Sequence, residues 1–312
     1  MKTLKIFFAL AASIGCMSIS AQQAPMYTHY MYNTLIVNPA YAGSRDAFTI
    51  TGIHRSQWVN FKGAPTTQSI TMHTLLENER VGLGLSVLND KIGPTNLTSM
   101  VIDYAFIMKL SESSKLALGL SAGVNIFQAD LNDLLLDDPN DPVFSNDIAN
   151  HVTPNVGVGA YFSRERFYAG LSVPNLLQYR FSDETSTNAS LFSGNEKRHY
   201  FFITGALIPL NDYLEFKPTS LVKMTVGAPV QLDLTASFVF QKRVLLGGMF
   251  RSGDAVGALL GFNVTDQLHI GYSCDWSYGL RTFRYNNGSH ELVLRYDILS
   301  NNRKQIHSPR NF

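Results

Sequence analysis

The side chains able to do chemistry are scattered along this chain. Its eight histidines are His29, His54, His73, His151, His199, His269, His290 and His307, and none stands in the His-Glu-x-x-His spacing of a zinc site. No Gly-x-Ser-x-Gly nucleophile elbow is expected. Gly82-x-Gly84 lacks the helix that a dinucleotide site requires. Six aspartates, Asp130, Asp133, Asp137, Asp138, Asp141 and Asp147, cluster within 128–152. Clustered carboxylates can hold calcium through oxygen, but the spacing lacks the glycine and closing glutamate of an EF-hand loop. The stretch reads as a solvated acidic loop, with Asp137, Asp138 and Asp141 as candidate contacts for a basic partner. No catalytic residue, metal or cofactor is expected.

A different polar set follows a period of two. Asp103, Asn125, Glu215, Lys217, Asp233, Asn263, His269, Glu291, Arg295 and Asp297 stand between apolar neighbours. In 289–298, Leu292, Leu294, Tyr296 and Ile298 alternate with Glu291, Val293, Arg295 and Asp297. In 115–127 the even positions are apolar, whereas Ala117, Gly119, Ser121, Gly123 and Asn125 are small or polar. Strict alternation marks a strand with one apolar face. Fourteen segments read this way: 46–57, 66–76, 80–89, 97–110, 115–127, 153–163, 166–173, 198–210, 213–225, 229–240, 243–251, 254–264, 267–276 and 289–298. Long connections fall at 128–152, 174–197 and 277–288.

A soluble sandwich also has one apolar face per strand, so the other face decides. Bulk water calls for Lys, Glu, Arg and Thr there, whereas this chain often places Gly, Ala, Ser or Asn. Small residues suit a crowded interior behind a closed wall whose apolar side meets lipid. Most segments reach the 9–11 residues or so that cross a bilayer obliquely. Trp58, Phe61, Tyr161, Phe162, Phe167, Tyr168, Phe201, Phe202, Tyr213, Tyr272, Trp276 and Tyr278 fall near strand ends, as two aromatic girdles would. The chain has 312 residues, only 16% charged, with 45% apolar and a net charge of +1. That balance excludes a disordered chain and gives no footprint for nucleic acid. The expected fold is all-β: a single-chain antiparallel transmembrane β-barrel of about fourteen strands.

Lys2 and Lys5, the apolar run Ile6–Ala12 and the small-residue stretch Ser18–Ala21 read as an export signal cleaved after Ala21. Cleavage would remove Cys16 and leave Cys274 alone, so no internal disulfide is expected. The expected organisation is a signal peptide at 1–21, an N-terminal periplasmic segment at 22–45, the barrel at 46–298 and a periplasmic tail at 299–312. The two termini would then share one side of the outer membrane. Arg303, Lys304, His307 and Arg310 make that tail basic.

The segment after the signal is unlike a strand. It contains Tyr30-Met31-Tyr32-Asn33 and then Asn38-Pro39-Ala40-Tyr41-Ala42-Gly43-Ser44. This pair of blocks resembles the N-terminal signature of the PorP/SprF family of Bacteroidetes outer-membrane proteins. Looser matches are His54-Arg55-Ser56-Gln57-Trp58, the aspartate-rich loop through Phe144, and Ser308-Pro309-Arg310-Asn311-Phe312. The resemblance implies a non-enzymatic barrel of the type IX secretion and gliding machinery. It also implies partners: periplasmic ring proteins, and a secreted cargo or surface adhesin held through its C-terminal domain. Outer-membrane lipid would surround the wall. Candidate partner-binding residues are Tyr30, Tyr32, Asn33, Asn38, Pro39, Tyr41, Gly43, Asp137, Asp138, Asp141 and Arg310. Residues 25–44 read either as a plug or strap that seals the lumen or docks a partner, or as a lead-in packed on the first strands. The rival function is a diffusion porin or small-solute channel; small-residue filling of the interior argues against a wide pore.

Overall fold

The computed structural model describes residues 25–45, 47–131, 147–178, 180–181, 194–195, 197–278 and 286–298. Seven strands form the first half of a closed sheet: β1 Phe48–Ser56, β2 Thr66–Leu75, β3 Val81–Ile92, β4 Thr95–Ser111, β5 Ser114–Ala129, β6 Ile148–Arg164 and β7 Phe167–Val173. The second half is β8 His199–Ala206 with its continuation Ile208–Asn211, β9 Leu214–Thr225, β10 Gln231–Phe240, β11 Val244–Arg251, β12 Ala255–Asn263, β13 Leu268–Ser277 and β14 Ser289–Ile298. Each strand pairs antiparallel with its chain neighbour, and β1 closes on β14 from Phe48↔Ile298 to Ser56↔His290. Closure satisfies every strand's backbone and leaves no edge, the condition for crossing lipid with strands. This is the fourteen-stranded antiparallel barrel that the alternation predicts. A two-residue ladder, Arg180–Phe181 with Gly194–Asn195, stands apart from it.

The phase of the alternation is uniform around the wall. In β5, Leu118 and Leu120 are exposed while Ala117 and Ser121 are buried. In β4, Ile102 is 65% exposed beside Asp103 at 2%. Apolar belts this continuous would drive association in water; here they form the lipid face. Among the girdle candidates, Phe61, Phe167, Tyr213, Tyr272, Trp276 and Tyr278 do face outward. Tyr161, Tyr168 and Phe201 do not: they are buried and point into the lumen. Their odd or even position in the strand, not their nearness to its end, sets the face.

Two sequence boundaries shift for physical reasons. β6 begins at Ile148 rather than near 153, because a register shift between Phe127 and Ala129 and a positive φ at Asn150 interrupt the alternation. β8 breaks at Leu207. The register that pairs Gly205 with Thr219 and Ile208 with Phe216 sets the break opposite Pro218, which has no N–H to donate. All connections at one end are short, including 112–113, 165–166 and 212–213, whereas 130–147, 174–198 and 278–288 all lie at the other.

Candidate functional site

The lumen is filled by the N-terminal block. Residues 27–35 and 37–43 are buried within the barrel, touching strands on all sides. The path starts at the long-connection end, where Thr28 meets Asp275 and Glu291, and leaves at the short-turn end, where Arg45 meets Asp297. Residues 25–29 therefore lie at the opposite end of the barrel from Ile298, whereas a shared side is expected for the two termini. The block set apart as a periplasmic segment in fact threads the lumen.

Two short 3-10 turns, Thr34–Ile36 and Pro39–Tyr41, fold the block so that it fits the bore. Asn38 caps the second: its Oδ1 accepts from Ala40 N at 3.0 Å, and Pro39 occupies the position where a missing N–H costs nothing. The same side chain reaches the wall, donating from Nδ2 to Ala160 O on β6 at 3.1 Å. The wall is shaped to receive this turn. A Cβ on Gly119 of β5 would overlap the backbone of Ala40, and one on Gly82 of β3 would overlap that of Ala42. Gly43 turns the chain with φ +72°, a conformation that disfavours any side chain, and its N–H donates to His73 Nδ1 at 3.3 Å.

Polar side chains clamp the rest. Glu291 of β14 accepts from Thr28 N at 2.9 Å, His29 N at 2.7 Å and Arg55 Nη1 at 3.3 Å, and lies 2.8 Å from His29 Nδ1. Arg55 of β1 also donates to Asp275 of β13 at 2.8 Å and to Thr28 Oγ1 at 3.1 Å. Arg251 of β11 forks onto Asp233 of β10 at 3.0 and 3.1 Å and donates to Tyr27 O at 3.2 Å. Arg45 holds Asp297 through two donors, at 2.8 and 3.3 Å. These groups are almost fully buried, where a charge is tolerated only with a partner and its hydrogen bonds in place.

The predicted residues on the block all belong to this arrangement. Tyr30 OH lies 3.0 Å from Thr219 Oγ1. Tyr32 stacks on His269 at 4.3 Å between centroids, with Lys217 Nζ 4.8 Å and Arg295 Cζ 5.2 Å from its ring centre. Asn33 accepts from Thr71 Oγ1 at 2.7 Å and donates to Ser69 at 3.3 Å. Tyr41 sits edge-on to His73 and Tyr161. Asp137, Asp138, Asp141 and Arg310 lie outside the described residues, as do 1–24 and the tail from 299. Sequence reasoning missed Thr28, His29, Arg45, Arg55, Arg251 and Asp275. The position of Arg55 on the inward phase of β1, within the quoted His54–Trp58 motif, was the available signal. His54, beside Arg55 in the same motif, faces outward and is exposed. The string Gly119-Leu120-Ser121-Ala122-Gly123 does spell Gly-x-Ser-x-Gly, but it runs through the middle of β5 and makes no elbow.

A closed fourteen-stranded barrel with an apolar outer belt and a threaded lumen is an outer-membrane barrel of the plugged kind. Residues 19–296 match the family model of the type IX secretion system membrane protein PorP/SprF, and the chain belongs to that family. No curated protein matches it. Among solved structures it is similar to the Acinetobacter baumannii outer membrane protein Omp33, at 9% identity over 82% of this chain and 100% of that one, TM-score 0.45. It is also similar to the CymD monoaromatic hydrocarbon channel, at 9% identity over 85% and 91%, TM-score 0.49. A Pseudomonas aeruginosa FadL homologue is similar at 10% identity over 80% and 89%, TM-score 0.42. At these scores the likenesses say nothing about transport or ligand.

Proposed function

We propose that this barrel is a non-enzymatic, occluded platform of the type IX secretion machinery. It binds a secreted, adhesin-like partner on one side of the outer membrane and periplasmic ring components on the other. The observation that carries this reading is the plug: residues 25–45 run the length of the lumen, joined to β14 through His29–Glu291 and Arg45–Asp297 and hydrogen-bonded to Arg55 of β1, Asp275 of β13 and Arg251 of β11. A solute channel has no use for a segment threaded through its bore and clamped there, whereas a docking platform needs a rigid, sealed body. Membership of the secretion family supplies the machinery with which it works. Export by a signal peptide cleaved after Ala21 is part of the proposal. The test is a mild-detergent pull-down of the tagged mature protein from native outer membrane, with mass spectrometry of the co-purifying chains. Recovery of one large secreted protein together with periplasmic ring subunits is expected. A folded barrel that comes out alone, with stable open-pore conductance in planar bilayers, would overturn the reading in favour of a porin.

A further inference from the structure

The plug does not fill the bore evenly. Beside it, along the inner face of β3 to β8, a cavity of about 270 Å³ remains. Its floor is Leu35 and Val37 of the plug, and its wall includes Leu97, Val101 and Phe127. Residues at the long-connection ends of the strands, among them Ile92 and Asn175, also line it, so it opens toward that end.

Two carboxylates in this apolar wall stand out against the rest of the lumen. Six Asp or Glu side chains are buried among the described residues. Four of them, Asp233, Asp275, Glu291 and Asp297, are paired with arginine. The other two, Asp90 and Asp103, both line the cavity. Asp103 is 2% exposed and accepts from Ser86 Oγ at 3.4 Å; Asp90 accepts from Thr67 Oγ1 at 2.6 Å. No described cation forms an ion pair with either. Lys197, at the rim, directs its ammonium toward Gly227 in the β9–β10 connection. The other four buried carboxylates among the described residues are each paired with an arginine, Asp275 and Glu291 sharing Arg55; the two that line this chamber, at its mouth and six residues deeper, have none. A desolvated carboxylate is costly unless a donor or cation meets it, and in a low-dielectric wall its pull on a cation is strong.

We propose that this vestibule is a binding site for a small organic cation: a slim apolar body that lies against Leu97, Val101 and Phe127, with one ammonium that donates to Asp103, the deeper of the two carboxylates, while Asp90 stands six residues further up β3 toward the mouth. The recognition is of charge and shape together. A neutral molecule of the same outline leaves the Asp103 carboxylate unanswered, and an anion is repelled. The site is independent of the secretion role, because it needs no other protein.

The full-length protein, folded in lipid nanodiscs, is titrated with 4-phenylbutylammonium by saturation-transfer NMR, against empty nanodiscs and against the neutral 4-phenylbutan-1-ol. Saturable one-site binding of the amine is expected, with the alcohol at least tenfold weaker. Asp103→Asn keeps the shape and removes the charge, and should weaken the amine at least tenfold while leaving the alcohol unchanged. Leu97→Trp keeps both carboxylates and fills the chamber, and should abolish binding; it serves as the test should Asp103→Asn fail to show the heat-modifiable gel mobility of a folded barrel. No saturable binding above empty nanodiscs, equal affinity for amine and alcohol, or unchanged amine affinity in either folded variant would overturn the proposal.

Discussion

Glu291 gathers more of the plug than any other single side chain, because one carboxylate answers two backbone N–H groups, an imidazole and a guanidinium. Changing it to glutamine preserves size but removes the charge facing Arg55 and places an amide NH₂ where only acceptors fit. Breaking one member of a buried charge cluster costs about 3–5 kcal/mol, largely because the partner is left uncompensated. Arg55 retains Asp275, so the low end of that range applies, about 3 kcal/mol. Glu291→Gln is expected to lower the temperature at which the folded, fast-migrating gel band converts to the unfolded one. An unchanged conversion temperature would show that the clamp contributes little. Of these residues, Glu291 was legible in the sequence as an inward-facing polar side chain. Its partners were not, since Thr28 and His29 are more than 260 residues away and lie in a segment with no periodicity.

At the scale of elements, the strands were legible because a two-residue period survives in nearly every one of them. Where it failed, at Ile148–Val152 and at Leu207, a bulge or a proline had broken the backbone pattern that the period reports. The small residues on the inner face correctly announced a crowded bore, yet the sequence could not say what crowds it. Gly119 and Gly82 are small because the plug's second turn lies against them. That interpretation separates two alanine substitutions that composition alone treats alike. Gly119→Ala drives a methyl into the backbone of Ala40, whereas a Cβ on Gly52 of β1 meets nothing within 4 Å. Overpacking of a filled interior costs about 1–3 kcal/mol. Gly119→Ala is expected to lower the gel-shift temperature and expose the plug to limited proteolysis, with Gly52→Ala matching wild type in both. Equal behaviour of the two variants would mean that the turn does not rest on the wall.

For the whole molecule, the question is whether the wall or the plug carries stability and closure. The wall satisfies its own backbone by closing β1 on β14, and its apolar belt faces lipid without help from the interior. The plug has no regular ladder with any strand and is fixed by side chains alone. The two parts thus differ in kind: one is a self-sufficient hydrogen-bonded cylinder, the other a ligand-like strand of chain in its bore. Removing residues 25–45 leaves Arg55, Arg251, Asp233, Asp275 and Glu291 lining an emptied lumen, where entering water can hydrate them and offset part of the lost pairing. A barrel with its plug deleted is therefore expected to fold and keep heat-modifiable mobility, with a lower conversion temperature. The intact protein should give no stable conductance in planar bilayers, and the deleted one should give discrete open steps. Selectivity should be set by charges that the plug now covers: the acidic set near the long-connection end, and the basic set of Lys217 and Arg295 deeper in the bore. If the deletion variant folds but stays closed, the wall itself collapses inward and the plug is not the seal. If the intact protein conducts as freely as the variant, the lumen is open around the plug and occlusion fails as the basis for a platform.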